Sequence, residues 1–289
     1  MTRWLVTGAT GQVGTDLMAV LQAGDDEVVG LGRDDLDITD PDAVTRALDD
    51  ARPAVVVNCA AYTTVDAAET DEATATAVNG DAPGHLARWC AAHGARLLHL
   101  STDYVFAGDA STPYDVDAPL APQSAYGRSK AAGERAVLSA GGDVHIVRTA
   151  WVYGATGPNF VKSIARLARD RDALDVVDDQ HGSPTWSHDL AVALSALGAA
   201  SVRPGIWHYT GQGETTWCGF AAAIVGEIGL DPAMVHPTTT AAYPRPAPRP
   251  AYSVLSTAKW EAAGLPPPRP WQEALHAAVD RHPELAGGE

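Results

Sequence analysis

At 289 residues with a formal net charge of −16 at pH 7, the chain has room for one large or two modest domains. It is too acidic for a nucleic-acid partner, whose phosphates demand a basic patch, and no apolar run reaches the roughly eighteen residues of a membrane span. The ten histidines show no HxxxH, HExxH or Cys/His spacing, so no catalytic metal is expected. "MTRWLVTGATG" lacks a signal-peptide apolar region, and Cys59, Cys90 and Cys218 are too few and scattered for a disulfide framework. A cytoplasmic setting is therefore expected.

In chain order, "RWLVT" (3–7), "EVVGL" (27–31), "AVVVN" (54–58), "RLLHLS" (96–101) and "VHIVRT" (144–149) read as buried parallel strands. Amphipathic stretches between them, "GTDLMAVLQAG", "PDAVTRALDDA" and "APGHLARWCAAHG", end near Gly or Pro and read as helices. This alternation predicts right-handed βαβ units and an α/β, doubly wound, Rossmann-like parallel sheet. Beyond about residue 150 the rhythm loosens into helical segments at 160–170, 187–199, 215–228 and 269–281. The proline-rich "PTTTAAYPRPAPRPAYS" (237–253) fits neither a regular helix nor a central strand. A disordered linker and an ordered loop over a site, using Arg245 and Arg249, are both open. The expected division is a dinucleotide-binding domain over 1–155 and a smaller, partly interleaved substrate-binding region over 156–289.

"VTGATGQVG" places Gly8, Gly11 and Gly14 where the first strand meets the first helix. Glycines there let the backbone turn tightly and approach a pyrophosphate, which then rests on the helix N-terminus. The spacing is GxxGxxG, so the support comes from its place in the βαβ series more than from the motif alone. Where an NAD site expects an acid after the second strand, "GLGR" supplies Arg33, which suits a 2′-phosphate. A merely solvated Arg33 is the other reading. Asp37 and Ile38 follow closely and are candidates to flank the adenine.

In "SAYGRSKAAGE" (124–134), Tyr126 and Lys130 stand at i and i+4, on one helical face. The spacing also fits a surface helix with no chemistry. Together with the glycine loop, however, the pair makes the chain resemble the extended short-chain dehydrogenase/reductases. The ordered series "LDITD", "VVNCAAYTTVDAAE", "AVN", "STDYVFAG", "YGRSKAAGE", "RTAWVYG", "NFVKSI", "DQHGSPT" and "PRPAPRPAYSVLST" narrows this over nearly the full length. It resembles the dTDP-4-dehydrorhamnose reductase family.

That resemblance implies reduction of the C4 ketone of a dTDP-4-keto-6-deoxy sugar by NADPH, with NADH tolerated in some relatives. It implies that Gly11, Gln12, Val13, Gly14, Asp37, Ile38, Ala60, Ala61, Tyr62 and Thr63 line the cofactor. Thr102, Tyr126 and Lys130 would form the catalytic set, the last two also touching the cofactor, with Asn79 a structural aid. Asp103, Tyr104, Val105 and Trp151 would face the sugar nucleotide. The related 4,6-dehydratases carry Asp-Glu after the catalytic Thr; here Asp103 is followed by Tyr104, which disfavours dehydration.

A free phenol has a pKa of about 10, too high for efficient proton exchange near neutrality. A neighbouring ammonium would lower it, giving Lys130 a role beside Tyr126. Small Gly127 and Ser129 would leave room for the cofactor beside the helix. Arg249 is a candidate for the substrate diphosphate, since Arg grips phosphate oxygens bidentately. Cys59 reads as a small core residue and His181 as a loop residue. The rivals are a 4-ketoreductase for another dTDP-deoxysugar and a non-catalytic dinucleotide-binding subunit, like the beta subunit of methionine adenosyltransferase. A homodimer is compatible with the sequence and not fixed by it, and no motif carries over the interface Mg²⁺ of some relatives.

Overall fold

The structure, a computed structural model, describes residues 1–287. Its elements run β1 (Arg3–Thr7), α1 (Gln12–Gln22), β2 (Glu27–Leu31), α2 (Pro41–Ala51), β3 (Val55–Asn58), α3 (Ala82–His93), β4 (Arg96–Thr102), α4 (Ala125–Ala140) and β5 (Val144–Thr149). Then follow α5 (Phe160–Asp170), α6 (Ser187–Ala199), β6 (Gly205–His208), α7 (Trp217–Glu227) and α8 (Trp271–Arg281), with shorter pieces between. Local sequence explains the boundaries. Pro41 supplies a ready-made helical φ at the first position of α2, and Asp40 caps it by accepting from the Asp42 and Ala43 N–H groups at 2.9 and 3.1 Å.

The five strands read from apolar runs all form, parallel, in a six-stranded sheet of order β2-β1-β3-β4-β5-β6. The doubly wound expectation holds. The sixth strand, "GIWH", was not foreseen. It arrives after the chain has left the sheet at residue 150 and returned along α6.

Alternation along the strands splits the core in two. Leu5, Val56, Leu97 and Ile146 face Leu48, Leu86 and Val137 of α2, α3 and α4. Trp4, Val57, Leu98 and Val147 face Leu17 of α1 and Leu190 and Leu194 of α6. Each such side chain contributes about 1.5–3 kcal/mol relative to exposure. A separate core of Val161, Ile164, Phe220, Ile224, Trp271 and Leu275 unites α5, α7 and α8. Among the described residues no helix is long and apolar enough to cross a membrane.

Candidate active site

The chain passes from β1 to β2 on one side, and the next connection crosses back over β1 to place β3 on its other side. This opens a crevice beyond the carboxyl ends of the strands, where open α/β sheets bind ligands. Here it has a volume of about 470 Å³ and is bounded by Gly8 and Gly11 after β1, Arg33 after β2, and Ala60 and Tyr62 after β3. Asp37, Ile38 and Ala61 also line it. Gly8 has φ +66°, and a Cβ there would lie 2.6 Å from the Ala60 nitrogen, so only glycine fits the turn. Gly11 caps α1, whose first N–H groups have no partner within the helix.

Gln12, Val13, Gly14 and Thr63 stand outside this lining. The Gln12 amide donates to Val152 O at 3.0 Å and accepts from Asn159 Nδ2 at 3.2 Å, tying α1 to the chain beyond β5. Val13 packs into the core, and Gly14 is buried. Conversely, Leu36, Thr74 and Val78 line the crevice without a signal in the glycine motif. Cys59, read as core, also lines it; burial pushes its thiol up to about 12. Arg33 is exposed at the rim, and among the described residues no carboxylate forms an ion pair with it.

The second part of the site gathers at the end of β4. The Thr102 hydroxyl donates to Asp103 Oδ1 at 2.9 Å and accepts from the Tyr104 N–H at 3.3 Å. Beside this turn, the Tyr126 ring meets that of Tyr104 edge-on at 5.6 Å. Ser124 caps α4 by accepting from the Gly127 N–H at 3.1 Å, and Glu69 accepts from the Ala125 N–H at 2.8 Å. These bonds fix the first turn, and Tyr126 with it. One turn on, Lys130 is 2% exposed and donates to Leu100 O at 2.7 Å.

The electrostatics differ from the sequence expectation. Burial raises the Tyr126 phenol to about 12, with the neighbouring Thr102 hydroxyl opposing it and the Asp103 charge adding to it. Lys130 is not what sets this value. Its own ammonium is disfavoured by burial and falls to about 8, against the attraction of Glu134. Burial likewise lifts Asp103 to about 6, restrained by the neighbouring Ser253 and Thr102 hydroxyls, of which Thr102 donates to Oδ1 at 2.9 Å. Desolvation therefore outweighs charge pairing in the protein alone.

A second correction concerns Gly127. A Cβ there would lie 2.3 Å from Tyr104 O, so the glycine serves the packing of α4 against the 103–105 turn and not cofactor clearance. Ser129 is occupied too, donating to Tyr126 O at 2.8 Å and accepting from Asn79 Nδ2 at 3.0 Å. Asn79 sits in a π-helical turn, Ala77–Asp81, and its amide also exchanges hydrogen bonds with both backbone groups of Tyr62 at 2.8 and 2.9 Å. Such π-turns widen a helix locally and recur at functional sites. This one joins the crevice wall to α4.

On the far side of Tyr126, Tyr104, Gln123, Pro248 and Arg249 border a small second cleft. The proline-rich stretch is ordered: Asp66 holds both Arg245 and Arg249 at 2.9 Å. Val105 is fully buried against Phe106, Ala131 and Leu255, so only its backbone can meet a ligand. Trp151 lies just past β5, with φ +48°, an uncommon conformation for a bulky residue. Its indole stacks on Trp217 at 3.6 Å and packs on Gly182. His181 is a strand residue of a short pair with Thr216, not a loop residue.

A glycine-turn crevice over a parallel sheet, with a Thr, a Tyr and a Lys gathered at the neighbouring strand end, defines an oxidoreductase of the short-chain dehydrogenase/reductase class. Residues 2–283 match the family model described as the RmlD substrate binding domain. A dTDP-4-dehydrorhamnose reductase of Streptomyces griseus is 53% identical over 99% of this chain and 94% of its own length. A probable dTDP-4,6-dihydroxy-2-methyloxan-3-one 4-ketoreductase of Streptomyces antibioticus is 50% identical, covering 99% and 97%. The crystal structure of a dTDP-4-dehydrorhamnose reductase from Bacillus anthracis in complex with NADP superimposes with a TM-score of 0.93 at 35% identity, covering 97% of this chain and 99% of that one. The chain belongs to the family of the RmlD substrate binding domain, together with these dTDP-4-dehydrorhamnose reductases.

Proposed function

We propose that the protein reduces the C4 ketone of dTDP-4-dehydro-L-rhamnose to dTDP-L-rhamnose, using NADPH, with Tyr126 as proton donor. The observation that carries this reading is the meeting of Tyr126 and Lys130, one turn apart on α4, with the end of β4: the Tyr126 ring stands edge-on to Tyr104 at 5.6 Å, and Lys130 donates to Leu100 O at 2.7 Å. A phenol held near 12 stays protonated at working pH, which suits delivery of a proton to an alkoxide. Thr102 would donate to the ketone oxygen. Asp103, Tyr104, the Val105 backbone and Trp151 would border the sugar nucleotide, and Arg249 its diphosphate.

The residues fit a dinucleotide: the crevice lies at the sheet's switch point, and the free N–H groups of α1 open beside Gly11. When bound, the cofactor supplies the hydride. Gly8, Gly11, Asp37, Ile38 and Ala60 to Tyr62 would hold it, with Arg33 on the 2′-phosphate and Lys130 on the ribose.

Incubation with NADPH and dTDP-4-dehydro-L-rhamnose, followed by NMR of the sugar, tests the reading; unchanged substrate rejects it. A second substrate is favoured by a specific observation, since a 4-ketoreductase with a different sugar is nearly as similar, at 50% identity. Faster turnover of the unepimerised 4-keto-6-deoxy-D-glucose nucleotide would select that alternative.

Two expectations follow for the cofactor. Arg33→Ala should lower the kcat/KM preference for NADPH over NADH, because a charged hydrogen bond contributes about 1.5–3 kcal/mol; an unchanged ratio removes Arg33 from the phosphate. NADPH binding should weaken as pH rises through about 8, where Lys130 loses its proton. Titration calorimetry across that range on wild type and Lys130→Met checks this, and the pH dependence should disappear in the variant.

A further inference from the structure

Asp66 lies on a single helical turn, Val65–Ala68, directly after the Ala60–Thr63 segment. Its carboxylate is surrounded by donors from one stretch of the proline-rich loop. Arg245 approaches Oδ2 through Nε at 3.2 Å and through its terminal nitrogen at 2.9 Å. Arg249 reaches Oδ1 at 2.9 Å, and the Ala247 N–H reaches the same oxygen at 3.2 Å. Two guanidinium groups and a backbone N–H converging on one pair of oxygens are the donor set of a phosphate site.

The cluster is partly open. The Asp66, Arg249 and Arg245 side chains are 24%, 16% and 47% exposed. Arg249 borders the cleft beside Tyr104, and Tyr104 packs edge-on against Tyr126 at 5.6 Å. Arg249 thus faces the space where a sugar nucleotide would lie if Tyr126 acts on its ketone, and Arg245 and the Ala247 N–H join it on the shared Asp66 carboxylate.

We propose that Arg245, Arg249 and the Ala247 N–H form a diphosphate-binding site that Asp66 fills from within, and that a nucleoside diphosphate displaces this carboxylate. The proposal rests on the reading of Arg249 given above and adds Arg245, the Ala247 N–H and a competing internal anion. The energetics permit exchange. The pairs stay partly open to solvent, which screens them, whereas a diphosphate brings more charge and several acceptor oxygens. Asp66 would keep the loop ordered and the two arginines assembled between substrates.

Calorimetric titration of dTDP and of thymidine into the full-length protein tests the competition. Asp66→Asn, nearly isosteric and uncharged, should bind dTDP about two- to tenfold more tightly, the loss of one or two such pairs, with thymidine unchanged. Arg245→Ala should weaken dTDP several-fold and leave thymidine unchanged. Weaker or equal dTDP binding by Asp66→Asn overturns the proposal and makes Asp66 a latch for the loop. Asp66→Ser provides a second uncharged variant. Loss of the fold in both also overturns the proposal, because a displaceable contact cannot be essential to folding. If Arg249→Ala leaves the dTDP-to-thymidine affinity ratio unchanged, the underlying reading of Arg249 fails. If Arg249→Ala weakens dTDP while Asp66→Asn does not tighten it, only the displacement fails.

Discussion

Replacing Tyr126 with phenylalanine is expected to lower kcat by about 10²–10⁴-fold, the usual contribution of a positioned general acid. The substitution removes one oxygen, and the half-buried ring keeps its edge contact with Tyr104. Thr102 keeps its bond to Asp103 Oδ1 at 2.9 Å, so the β4 terminus should hold its shape. NADPH affinity and the thermal transition should therefore stay near wild type while turnover collapses. Normal NADPH binding with near wild-type turnover would falsify the assignment of Tyr126 as proton donor.

The second large effect is expected in the fold. Glu134 and Arg148 are each 1% exposed and form a bidentate pair, Nε to Oε1 at 2.8 Å and the terminal nitrogen to Oε2 at 2.7 Å. Ser101 adds a donated bond to Oε1 at 2.6 Å. Three elements meet here: α4, which carries Tyr126 and Lys130; β5; and the end of β4, one residue before Thr102. Glu134→Ala leaves a buried guanidinium without its counter-charge and should cost about 3–5 kcal/mol of stability. Replacing both residues by apolar side chains of similar volume should recover much of that loss. Denaturant melts of the single and double variants decide the matter. A double variant as unstable as the single one would mean that the wider network, including the bond from Arg148 to Val116 O at 3.0 Å, matters more than the pair.

The parts legible in the sequence were those encoded locally. Five strands announced themselves as short apolar runs, and α2 carries its own start signal in Asp40 and Pro41. The crevice was legible because glycines at a strand-to-helix junction have few other uses. Features built from distant partners were not. Strand β6 has only four residues and no flanking pattern, and it is a strand because Trp207 pairs beside Val147 of β5. The π-turn at Asn79 depends on Tyr62 and Ser129, 17 and 50 residues away. The Tyr126 environment was misjudged for a related reason. Spacing reveals that an ammonium shares the helical face, but burial, which dominates both groups, is a property of the assembled site.

The late arrival of β6 bears on how new enzymes can be made from this one. Because the outermost strand and the α6 helix beneath Trp4 and Leu98 come from beyond residue 186, the sheet is finished by sequence that follows a first visit to the other core. A chimera joined once, near residue 155, would take its edge strand and a covering helix from the donor. It would therefore have to match two unrelated sets of core side chains. Exchange of substrate preference between relatives should succeed with three junctions, grafting the stretch between β5 and α6 and the stretch after β6 as separate pieces, each closed onto the host's own sheet.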